Sequence, residues 1–253
     1  MTTGPSSTDS FASTRPLLVA LAGAGCSPAV WQRTRHPALD LLAVDWTIGN
    51  GPWDLQSIAD RLVGALACRR GPTLLAGHSL GGVIAMLAVL SAPEGTVAGL
   101  LVADTGASTQ GHRDGGLPAR VRAGWTPAER ATFLRSCFHR PPPDTFLATA
   151  ADWLHALDPD IFLQAIDSVR TIDLRQRLRA ITVPAVVVQG RFDARRTRSH
   201  AVELAEGLAN ADLVELDTGH TPMIEDAEGF NEAVAMLWRK VARVRPVGIE
   251  APG

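Results

Sequence analysis

The chain has 253 residues and a formal net charge of −2, and 46% of its residues are hydrophobic against 20% charged. That length suits one globular domain carrying an insertion, and the charge balance offers no basic face for nucleic acid and no pull toward an acidic membrane. The cysteines Cys26, Cys68 and Cys137 follow no zinc-ligand or Cys-x-x-Cys spacing, which points to a reducing compartment, and with no tyrosine in the chain any chemistry proceeds without a phenol.

Residues 1–15 (MTTGPSSTDSFASTR) are Ser/Thr-rich and nearly free of large apolar side chains, which predicts a disordered leader. The stretch TRPLLVALAGAGC places Arg15 before a short apolar segment ending at Cys26, the outline of a lipoprotein signal. A lone arginine and a Gly23 where such signals carry leucine argue against cleavage, so a cytoplasmic location is expected. No apolar run is long enough to span a bilayer.

Buried strands are then predicted at Leu17–Leu21, Leu41–Asp45, Thr73–Ala76, Gly99–Ala103, Ala185–Gln189 and Leu213–Leu216, because each is a short, nearly continuous apolar run. Helical spacing fills Leu55–Ala67, Leu80–Leu90, Arg198–Leu208 and Glu228–Val241. This alternation predicts an α/β fold with a doubly wound, mostly parallel sheet of about six strands. It fails between about Ser108 and Ala180, where helical patches at Pro127–Phe138, Thr145–Leu157 and Asp160–Val169 are broken by RPPPD. Such an interval is too long for a loop and reads as a helical insertion over one end of the sheet. The expected organisation is a core of residues 16–108 and 181–243, an insertion over 109–180 and a flexible tail over 244–253.

Between the third strand and its helix lies GHSLGG. A turn that sharp crowds the backbone, so Gly77 and Gly81 stand where a side chain would collide, and Ser79 projects from the carboxyl edge of the sheet above a helix N-terminus. A serine that merely capped the helix would not need glycine on both flanks. GHSLGG, GRFD at Gly190–Asp193 and TGHTPMIEDAEGFNEAV at Thr218–Val234 together resemble the α/β-hydrolase superfamily, over nearly all of Leu17–Val241 and in that family's order of serine, acid and histidine. The residues agree: Asp193 and His220 follow the fifth and sixth strands and can reach the rim that holds Ser79. The expected catalytic set is therefore Ser79, Asp193 and His220, with a histidine needed to take the serine proton and a carboxylate to orient it. Asp104, at the end of the fourth strand, is the alternative acid. His78 is read as a packed, hydrogen-bonded histidine.

The resemblance also implies an oxyanion site from the backbone N–H groups of Leu80 and Ala24. Relatives carry His-Gly before the second donor where this chain has Ala22-Gly23-Ala24. The family's antiparallel strand pair before the first parallel strand has no counterpart in the polar leader. Cys26, Trp46, Trp125, Phe138 and Trp153 are candidates to line an apolar pocket, and Arg191 or Arg195 to meet a substrate carboxylate. HRDGG at His112–Gly116 lacks further ligands, so neither a metal nor a cofactor is expected. The expected partner is a small-molecule substrate rather than nucleic acid or membrane, and a homodimer stays open. The expected function is serine hydrolysis of an ester, lactone or thioester of a small, largely apolar substrate through an acyl-enzyme. The alternatives are carbon–carbon bond hydrolysis, acyl transfer or cofactor-free haloperoxidase chemistry at the same triad, or a slow-turnover small-ligand sensor on this scaffold.

Overall fold

A computed structural model describes residues 13–109 and 116–244; the expected leader and tail lie almost wholly outside these residues, as does His112. The strands are β1 (Leu17–Leu21), β2 (Asp40–Val44), β3 (Thr73–His78), β4 (Gly99–Ala103), β5 (Ala185–Gly190) and β6 (Ala211–Leu216). They form a single sheet in the order β2-β1-β3-β4-β5-β6, with every neighbouring pair parallel. Every residue of β1, β3, β4 and β5 is buried, whereas β2 and β6 are mostly half-buried. That difference follows from position: the inner strands are covered on both faces, and the two edge strands keep one side near water.

Helix α1 (Leu55–Leu66) begins at Asp54, whose carboxylate accepts the Ser57 N–H at 3.0 Å, and buries Leu55, Ile58, Ala59, Leu62 and Leu66 at helical spacing. Helix α2 (Leu80–Ser91) is buried without a break from Leu80 to Ala88. It is therefore apolar all round, as a central helix must be. The remaining helices lie between β4 and β5 and after β5.

Between β4 and β5 lie α3 (Leu117–Arg122), α4 (Pro127–Arg135), α5 (Asp144–Ala156), α6 (Pro159–Val169) and a 3-10 turn at Arg175–Ala180. Helix α4 starts in a reciprocal capping box between Thr126 and Glu129. The sequence predicts α4, α5 and α6 and misses α3, a six-residue helix too short to show a period. After β5 come α7 (Arg198–Gly207), α8 (Pro222–Glu225) and α9 (Ala227–Val244). Helix α9 turns Phe230, Ala233, Val234, Leu237 and Val241 inward. Its contact with the sheet is close: a Cβ on Gly99 would lie 2.6 Å from Val241 Cγ2.

Candidate active site

Strand β3 passes into α2 through Ser79 alone. Ser79 has φ 52° and ψ −120°, a conformation that glycine adopts freely and an L-residue only under constraint. The constraint is visible. The Ser79 N–H donates to the Ala103 carbonyl at 2.9 Å, extending the β3–β4 ladder one residue past His78. The Ser79 carbonyl accepts the Gly82 N–H at 2.9 Å and the Thr105 hydroxyl at 2.6 Å. The expected collisions at the flanking glycines are real: a Cβ on Gly77 would lie 2.3 Å from the Gly81 carbonyl oxygen, and one on Gly81 2.3 Å from that of Leu21. Strand β3 thus ends at His78 rather than Ala76, because the ladder continues into the turn.

Two strands away, β5 ends at Gly190, where a Cβ would sit 2.0 Å from the Gly219 carbonyl oxygen. Only glycine lets the loop of Asp193 and the loop of His220 run side by side. Asp193 Oδ2 lies 2.7 Å from His220 Nδ1, and Asp193 Oδ1 accepts the N–H groups of Arg195 and Arg196 at 2.7 and 3.1 Å. Burial opposes charge on Asp193, but the imidazole and these donors win and hold the carboxyl down at about 2. With Nδ1 donating to the carboxylate, His220 is left with an unprotonated Nε2, the tautomer of a base.

Asp104 lies behind this pair, with φ 46°. Its Oδ1 accepts the Gly190 N–H at 2.8 Å and its Oδ2 is buried with no partner. Burial, and next the charge of Asp193, push its carboxyl well above the usual range. Asp193, not Asp104, holds the hydrogen bond to His220. Donor atoms of Asp104, Asp193 and His220 all lie within 4.8 Å of one another, but each residue already has a hydrogen bond and Asp104 favours its neutral form, a poor set for a cation. His78 is wholly buried, as expected, and its Nε2–H donates to the His220 carbonyl at 2.7 Å. Burial, then His220, lowers its imidazole to about 3, so the ring is neutral.

Ser79, Leu80, His220, His78 and Ala24 border one cavity of about 230 Å³. Neither Ala24 nor Leu80 donates its N–H to an acceptor among the described residues. Two unpaired amides therefore border the same space as the serine hydroxyl, despite the missing histidine in the Ala22-Gly23-Ala24 loop. Of the side chains expected to line a pocket, Cys26 does, and burial raises its thiol out of the reactive range. The others are placed elsewhere. Trp46 donates its indole N–H to the Ala22 carbonyl at 3.0 Å, and Trp153 donates its own to Asp45 Oδ2 at 2.9 Å. Trp125 packs on Phe133 and Phe162, and Phe138 on Phe146, with ring centroids 5.2 to 5.8 Å apart. Arg191 pairs with the exposed Asp217 at 2.8 Å. The indoles found acceptors and the rings found each other, which is what aromatics at helical spacing usually do.

In their place the insertion supplies Phe133, Cys137, Ile166, Val169 and Arg170, and the loop after Asp193 supplies Arg195 and Arg196. Of these, sequence reasoning singled out Arg195 alone. It also missed Glu225. Its carboxylate accepts three backbone N–H groups, from Gly219 at 2.9 Å, His139 at 3.1 Å and Arg140 at 2.9 Å. The Thr221 hydroxyl donates to the Cys137 carbonyl at 3.1 Å, and Arg140 to the Asp217 carbonyl at 2.8 Å. The insertion and the His220 loop are thus laced together.

With that geometry in hand, likeness to known proteins can be read. Residues 18–233 match the model of the alpha/beta hydrolase family. A Rhizobium rhizogenes protein named for carbamate hydrolysis, RutD, is 36% identical over 84 residues, 33% of this chain and only 32% of that relative's length. An esterase from Exiguobacterium antarcticum superposes with TM-score 0.77 at 20% identity, over 87% of this chain and 91% of the other. An enol-lactonase from Burkholderia xenovorans gives 0.76 at 20%, over 90% and 92%. At such identities the superpositions speak for the fold. No helix among the described residues is long and apolar enough to cross a membrane. A family match over most of the chain, on a six-stranded parallel sheet, places this chain in the alpha/beta hydrolase family.

Proposed function

We propose that the protein is a serine hydrolase cleaving an ester, lactone or thioester of a small substrate through an acyl-enzyme. The observation that carries this reading is the meeting of a strained Ser79, the His220–Asp193 pair at 2.7 Å and two unpaired amides around one cavity. Ser79 Oγ attacks the carbonyl carbon while His220 Nε2 takes its proton, and Asp193 keeps Nδ1 protonated and aimed. The carbonyl oxygen, now an oxyanion, is received by the N–H groups of Leu80 and Ala24; losing one such donor typically costs about 3–4 kcal/mol of barrier. The carbon–oxygen or carbon–sulfur bond then breaks, the leaving group taking the proton from His220. Water, deprotonated by His220, attacks the acyl-serine and releases the acid.

The similar proteins are named for attack on an ester, an enol-lactone and a carbamate, all carbonyls bearing a leaving group. The cavity, at about 230 Å³, falls below the roughly 300–1,000 Å³ of ordinary small-molecule sites, which favours short acyl groups. A fluorophosphonate probe with peptide mapping tests the assignment. Modification of Ser79, together with a p-nitrophenol burst from short-chain esters that Ser79→Ala abolishes, is expected. Labelling on another residue overturns it, and saturable ligand binding without turnover supports the sensor reading instead.

A further inference from the structure

The cavity beside Ser79 is more basic than a simple ester requires. Three arginines border it: Arg170 at the end of α6, and Arg195 and Arg196 after Asp193. Arg196 is only 4% exposed. It donates one Nη–H to the Ser108 carbonyl at 2.8 Å, and its buried Nε has no partner. Burial lowers it to about 10, which still leaves the guanidinium charged at neutral pH. The Arg195 guanidinium lies 4.8 Å over the Phe133 ring and donates to Ser136 Oγ at 2.7 Å, and its Nε is likewise buried without a partner.

No carboxylate among the described residues forms a salt bridge with Arg195 or Arg196. The acid of their own loop, Asp193, already commits one oxygen to His220 and the other to the two arginine amides. Desolvating a cation is costly unless something offsets it; each of these guanidiniums has only part of its N–H set bonded within the protein, and a planar guanidinium matches a carboxylate. The arginines are also placed by the acid itself, since the amides of both bond Asp193 Oδ1. A charged substrate group would therefore be fixed by the same loop that fixes the base.

We propose that the substrate carries a carboxylate in addition to the bond that is cleaved, and that Arg195 and Arg196 bind it within the cavity that Ser79 borders. The proposal rests on the serine-hydrolase reading for the cleavage, not for the anion binding. With an apolar side made by Phe133, Ile166 and Val169, the substrate class is a short half-ester, lactone or thioester of a dicarboxylic acid.

The test compares monomethyl glutarate with its uncharged terminal-amide counterpart. The intact protein is expected to favour the acid at least tenfold in kcat/KM. Arg195→Gln should reduce that preference about tenfold or more, equivalent to about 1.4 kcal/mol, while Arg195→Lys, which keeps charge but loses the fork, should fall between. Arg191→Gln, outside the cavity, serves as the control and should keep the wild-type preference. Arg196→Gln, if it folds by circular dichroism, should act like Arg195→Gln; Arg195 alone suffices if it does not. Equal or faster cleavage of the amide, or a preference that survives Arg195→Gln, overturns the proposal. Should no ester be cleaved and Ser79 stay unlabelled, the hydrolase reading fails instead. Calorimetry with glutarate then decides: binding lost in Arg195→Gln supports the anion site, and no binding to the wild type refutes it.

Discussion

Replacing Ser79 by glycine should make the protein more stable than replacing it by alanine, although both changes remove the hydroxyl proposed as nucleophile. The backbone there is held at φ 52° and ψ −120°, where an L-residue costs of order 1–3 kcal/mol. Ser79→Ala keeps the Cβ and hence the strain. Ser79→Gly releases it, but gives back about 0.4–1 kcal/mol because the unfolded chain becomes freer. The balance is about 1 kcal/mol in favour of glycine. For a chain of this size that is about 2–4 °C in melting temperature. The strain is held in place by the bonds to Ala103, Gly82 and Thr105, which neither variant removes. Differential scanning calorimetry of the two variants side by side is the assay. If the glycine variant melts at or below the alanine variant, the turn stores no strain and the argument is wrong.

Asp193→Asn should lower kcat by about 10³–10⁴-fold with KM changed only a few-fold, since the imidazole loses the acceptor that fixes its tautomer; steady-state kinetics on any cleaved ester will show it, and an unchanged kcat would shift the role to Asp104. Gly23→Ala puts a Cβ 2.9 Å from Ser79 Cβ and 3.0 Å from His78 Nδ1. The loop must give by tenths of an ångström and carry Ala24 with it, so kcat should fall about 10²-fold with the fold retained by circular dichroism. Acid should destabilise the protein in two windows. His78, depressed to about 3, stays neutral in the folded state while the unfolded chain takes up its proton, so stability falls from about pH 6.5 to 3 by roughly 3–5 kcal/mol. Asp193, depressed to about 2, adds a further loss between about pH 4 and 2. Asp104 has the opposite sign: its carboxyl is raised, so the unfolded state ionises first and stability drops as pH rises above about 4. Asp104→Asn should therefore gain more at pH 8 than at pH 4, read from urea midpoints; an equal gain would mean that Asp104 is ionised in the folded protein.

The strands were legible because covering both faces of a parallel sheet leaves an almost unbroken apolar run, and such runs stand out at Leu17, Gly99 and Ala185. Ser79, Asp193 and His220 were legible because each leaves the carboxyl end of a strand, beside glycines whose absent side chains make room. The cavity wall was not legible. Arg196, Ile166 and Val169 come from the insertion and from the loop after Asp193, and only their docking onto the strand ends decides which of them faces Ser79. Aromatic residues misled for a physical reason. Trp46 and Trp153 each carry one N–H that must be satisfied when covered, and their acceptors, Ala22 and Asp45, lie outside the cavity wall. Arg191 misled similarly: it sits in the right loop but is exposed and neutralised by Asp217.

Among the described residues, Glu225 is one of three side chains that fasten the insertion to the loop of His220, beside Thr221 and Arg140. Its carboxylate grips the amide of Gly219, just before His220, and two amides of the insertion at His139 and Arg140. Loosening that side chain would weaken the hold on both segments at once, while Thr221 and Arg140 still tie them together. A displacement of the insertion is therefore passed through these shared bonds to the loop that carries His220.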